Sequence, residues 1–242
     1  MRKEELKNWQ TAKMMTNIVP KPSGRVLADV SEAAIGDRVD FWVANQSMSA
    51  KATTTCELRV IGTTCKIFRD LNNATDSTGK VYSPASTTDA LLQTFANEFD
   101  TNIFPFVTSN YGNTFDKNAD GKITIVFSPR ITALGDVWGY FSSGDLYDFG
   151  NTNKRDMFYI RTLDDSYTAE DFLMLAKSTL THEFQHLVNY VEHTILRAGS
   201  PEESWLNEGL SVEAEWRYSF NNDSRIDFYC WNSNIIGIAY WQ

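Results

Sequence analysis

The sequence predicts an α+β fold: a β-rich N-terminal part, then a long histidine-bearing helix and a following helical hairpin. Three observations carry this. Short runs of β-branched and aromatic residues crowd the first two thirds of the chain. Apolar residues recur every three or four positions in the last third, between helix-capping residues. With 242 residues, 42% hydrophobic and 22% charged, the chain can bury a sizeable core.

Residues 1–35 show no strong periodicity and contain Lys-Pro-Ser-Gly, so they read as an irregular leader. A β-rich part spans 36–166, with strands expected at 40–44, 53–61, 66–70, 121–129 and 156–161. Segment 71–86 is rich in Asn, Asp, Ser, Gly and Pro and reads as loop, and the stretch 133–156 is Gly-, Asp- and aromatic-rich. Between them, 87–107 has helical spacing at Leu91, Phe95 and Phe99, with Pro105 limiting the pattern. A helical part spans 167–242. Cys56 and Cys65 flank Gly62 on two short β-runs, where a local disulfide and two free half-buried thiols are equally compatible.

The charge balance of −9, without any run of Lys or Arg, excludes nucleic acid as an expected partner. No apolar stretch reaches the length of a membrane span, and the polar start is not a secretory signal.

Asp116, Asn118 and Asp120 at alternate positions, followed by Gly121, copy the first half of a calcium-binding loop, whose oxygens converge on one point. The twelfth position is Phe127 instead of a bidentate Glu, so this is no EF-hand. Bound Ca²⁺ and an Asx-stabilised turn are the two readings.

The densest chemistry lies in THEFQHLVNY, 181–190. Thr168 with Asp171 can cap a helix that continues towards Gly199, the expected left-handed end. On that helix His182 and His186 lie one turn apart on one face and can share a Zn²⁺ at ~2 Å each. Glu183 flanks the ion and can take a proton from water. Ser200-Pro201-Glu202-Glu203 reads as the start of a second, antiparallel helix. Counting back from that turn sets Glu208 opposite residue 189, within roughly 4–5 Å along the axis of His186. Glu208 is therefore the expected third zinc ligand, and Glu215, two turns on, the expected acceptor for a histidine N–H. Gly209 would let the helices approach closely. His193 stands seven residues after His186 where the long zinc motif needs six, Glu202 and Glu203 belong to the capping turn, and Glu213 points away.

HEFQH followed by WLNEGLS resembles the hyicolysin family of neutral zinc metallopeptidases, in the gluzincin group. The likeness extends upstream through 36–43, 110–129, 139–148 and 153–160. It implies a zincin-like fold with an active-site helix, a secreted or cell-envelope endopeptidase acting on protein or peptide, and zinc on His182, His186 and Glu208 with Glu183 as catalyst. The alternative function is a non-catalytic surface or binding module retaining a structural zinc. Tyr218, His193, Tyr229 and Tyr240 are candidates to stabilise an oxyanion, each with ordinary packing as the competing role. The apolar segment 225–242 is expected either to pack back over Trp205 or Trp216 or to begin a further, truncated helical subdomain.

Overall fold

The computed structural model describes residues 33–44 and 50–218. Most of the expected leader, together with Tyr229, Cys230, Tyr240 and the rest of segment 225–242, lies outside the described residues. A curled six-stranded sheet forms the N-terminal part, and the architecture is α+β as the sequence predicts.

The strands are β1 (Arg38–Ala44), β2 (Lys51–Ile61), β3 (Cys65–Asp70), β6 (Ile123–Ser128), β7 (Gly139–Phe141) and β8 (Met157–Arg161). Their order is β1-β2-β3-β6-β8-β7, and a two-residue pair, β4 (Ala74–Thr75) and β5 (Val81–Tyr82), stands apart. The first three strands run antiparallel, β3, β6 and β8 run parallel, and β7 closes the order antiparallel to β8. The parallel strands β6 and β8 are buried along their whole length, in keeping with their mainly apolar sequences.

Helices α1 (Asp89–Glu98) and α2 (Phe104–Tyr111) cross over between β3 and β6. Pro105 does not end the helical stretch as expected. It sits in the first turn of α2, where a missing N–H costs nothing, and a wide π turn over Phe99–Ile103 joins the two helices. Asp100 in that turn accepts Thr63 N (2.5 Å) and Thr64 N (2.8 Å), pinning the β2–β3 hairpin. A Cβ at Gly62 would fall 2.4 Å from the Asp100 carboxylate, so the hairpin needs glycine there. A one-turn helix, α3 (Pro129–Thr132), follows β6, and then come α4 (Ala169–Tyr190) and α5 (Ser204–Arg217).

Two apolar clusters occupy the two faces of the sheet. One joins Ile67, Ile125, Phe127, Phe158 and Ile160 to Phe95, Phe99, Phe172, Leu180 and Phe184 of the helices. The other gathers Phe41, Leu58, Phe68, Val126, Met157 and Tyr159. Cys65 belongs to the first and Cys56 to the second, and both are free thiols. The sheet lies between them, so the disulfide alternative is excluded.

Candidate metal centre

Thr168 caps α4: its hydroxyl oxygen accepts Asp171 N at 3.1 Å and its O–H donates to the Asp171 carboxylate at 2.8 Å. Phe172, Ala176, Leu180, Phe184, Leu187 and Val188 bury one side of the helix. That side fixes its rotation on the sheet and sets His182 and His186 towards α5.

The end of α4 departs from expectation. A π turn, Val191–Leu196, follows Tyr190, and the left-handed residue is Ala198 (φ 54°), not Gly199. Gly199 instead donates its N–H to His193 O, against which a Cβ would fall at 2.7 Å. The second helix starts at Ser204, with Glu203 rather than Ser200 at its N-cap. Glu202, in the segment before Ser204, pairs with His193 Nδ1 at 2.9 Å. Gly209 is exposed, a Cβ there would meet nothing within 4 Å, and so it does not serve the helix–helix approach.

The pairing across the hairpin nevertheless matches the count made from the sequence. Asn189 Nδ2 donates to Asn207 Oδ1 at 3.2 Å, Ser211 faces Gln185 and His186, and Glu215 faces Ser178 and His182. His186 Nε2 lies 3.0 Å from Glu208 Oε1, His182 Nε2 lies 3.4 Å from Glu208 Oε2, and the two Nε2 atoms are 3.0 Å apart. Among the described residues, these three form the set of His, Cys, Asp or Glu whose ligand atoms converge within 4.8 Å. A tetrahedral ion with bonds of ~2 Å has ligand–ligand edges of about 3.3 Å, so the donor set and its spacing fit zinc.

The outer ring nitrogens have their own partners. His182 Nδ1 donates to Glu215 Oε1 at 2.5 Å, and Ser178 donates to the same carboxylate. Ser211 Oγ lies 2.9 Å from His186 Nδ1 and donates to Gln185 Oε1 at 2.6 Å. Glu215 was legible in the sequence. Ser211 and Gln185 were not singled out, although the same residue count sets Ser211 opposite His186. Burial alone would lower the His182 pKa, but hydrogen bonds to Glu208 and Glu215 outweigh it and raise it to about 10. Burial favours a protonated Glu208, yet the two histidines hold its carboxyl well below the usual range.

Glu183 is 6% exposed, and burial pushes its carboxyl above the usual range. At 100° per residue, Thr179, Glu183 and Tyr190 fall within roughly 40° of one another on α4. Thr179 packs against Gly139 and Tyr190 against Phe141, so the face of α4 that carries Glu183 lies towards β7, the last strand in the order among the described residues. Of the other candidates, Tyr218 donates to Glu98 and packs on Phe106, and Glu213 accepts from Tyr111.

Asp116, Asn118 and Asp120 remain together on a turn. Asp116 Oδ1 accepts the N–H groups of Asp120 and Gly121, both at 3.0 Å. Asp120 accepts Lys122 N at 2.9 Å and Lys66 Nζ at 2.8 Å.

No helix among the described residues is long and apolar enough to cross a membrane. No protein-family model matches the chain. It is 28% identical over 209 residues to the neutral metalloprotease ShpI of Staphylococcus hyicus. That alignment covers 83% of this chain and 44% of the relative, so the chain spans less than half the length of the curated protein it matches. The likeness supports a metallopeptidase relationship.

Proposed function

We propose that this chain carries the active site of a zinc-dependent endopeptidase. The convergence of His182 Nε2, His186 Nε2 and the Glu208 carboxylate beside a buried Glu183 carries the reading. A zinc ion held by the three ligands would polarise the scissile carbonyl and acidify a water molecule. Glu215 and Ser211 hold the two imidazoles by their outer nitrogens, leaving each Nε2 to face inwards. Glu183, with a carboxyl raised by burial, accepts the proton of the attacking water and passes it to the leaving amine. The substrate class is a peptide in extended form, laid along the edge of β7 that faces Glu183.

A zinc of purely structural use would leave a buried, pKa-raised carboxylate at position 183 without a task. The discriminating experiment is hydrolysis of casein by protein purified without chelator. Cleavage that disappears on chelation and returns with added zinc is expected. About one zinc per chain with no cleavage would favour the structural reading.

A further inference from the structure

The turn before β6 holds more polar groups than its own hydrogen bonds explain. Asp116 and Asp120 cap the turn as described, and Lys66 pairs with Asp120, both side chains being enclosed (4% and 1% exposed). Below them lies Asp156, also buried, whose Oδ1 accepts Lys117 N at 3.2 Å. Burial first, and then the charges of Asp116 and Asp120, push its carboxyl up to about 6. An Asx turn gives no reason to bury a third carboxylate beside two others.

Two further side chains have buried polar atoms without a partner. Asn118 has both amide atoms enclosed and unpaired, and Thr124, fully buried, has an unpaired hydroxyl. Thr124 stands opposite Lys66 in the parallel β3–β6 pair, so both side chains leave the same face of the sheet. Lys66 reaches Asp120 from there. Buried polar groups in folded proteins are expected to have partners, and a bound cation would give the enclosed Asn118 oxygen one.

We propose that Asp116, Asn118 and Asp156 line a calcium site. All the donors are oxygens, two of them carboxylates, which suits a hard divalent cation of flexible coordination. Gly121, at φ +67°, gives the loop its sharp turn. Asp120, which the sequence pattern sets on the ion, serves instead as the counter-charge of Lys66. The ion would tie the loop to the start of β8, stiffening the entry to two central strands.

The test uses the whole protein with saturating zinc in calcium-depleted buffer. Equilibrium dialysis with radioactive calcium should find about one ion per chain. The melting temperature should climb and then level off as calcium chloride rises to ~10 mM, beyond the effect of sodium chloride at equal ionic strength. Asp156→Asn and Asn118→Ala should each abolish the rise, whereas Glu208→Gln, at the separate zinc centre, should keep it. A wild-type protein that retains no calcium and melts at one temperature throughout would overturn the site. So would calcium binding unchanged in Asp156→Asn.

Discussion

His182 stands between two carboxylates, Glu215 on its outer nitrogen and Glu208 on its inner one, while His186 has a carboxylate on one side and the Ser211 hydroxyl on the other. An anionic acceptor raises the basicity of an imidazole more than a neutral one, so His182 is the stronger donor of the pair. Glu208→Ala should remove one ligand and sharply weaken zinc retention in competition with a chelator. Glu202→Ala, which only frees His193, should not. Equal losses would refute the ligand assignment. Glu215→Gln, which keeps the shape and removes the charge, should weaken zinc about 10–100-fold; unchanged affinity would refute its role. These residues were legible because facing positions across the hairpin depend only on where the chain reverses. Ser211 and Gln185 escaped notice because a serine and a glutamine carry no metal-ligand pattern of their own.

At the scale of elements, three helices meet at Glu98. It accepts Lys177 Nζ of α4 at 2.8 Å, Asn102 Nδ2 at 3.0 Å and the Tyr218 hydroxyl beside the end of α5. Burial opposes its charge, but these three donors prevail and lower the carboxyl pKa. A lowered folded pKa gives stability that is present above the unfolded value of about 4.3 and is lost as pH falls through the folded one. Glu98→Gln should therefore cost about 1–2 kcal/mol at pH 7 and much less near pH 3, measured by urea unfolding. A cost independent of pH would mean that packing, not charge, is what the carboxylate supplies. Helix ends were the weakest part of the sequence reading. Ser-Pro-Glu-Glu has the chemistry of a start, yet it lies outside α5, where Glu202 pairs with His193. Pro105 has the chemistry of a stop, yet the π turn before it absorbs the restriction. Neither the π turn before Pro105 nor the chain path between Leu196 and Ser204 can be read from the residue types of those segments alone.

Across the whole molecule, the sheet positions the chemistry. β6 and β8 form its buried centre, α4 packs on β8 and β7, and β7 is the last strand in the order among the described residues. The long strands were legible from their apolar runs. The three-residue β7 was not, since Gly139, Tyr140 and Phe141 sit in a loop-like stretch and become a strand only by pairing with β8. In the proposed mechanism Glu183 acts as the base beside a zinc held by His182, His186 and Glu208. Casein hydrolysis by Glu183→Gln, measured with its zinc content, tests it most directly. The near-isosteric change should keep the metal and the fold while reducing turnover by orders of magnitude. A zinc-loaded variant that cleaves casein at close to the wild-type rate would contradict the account.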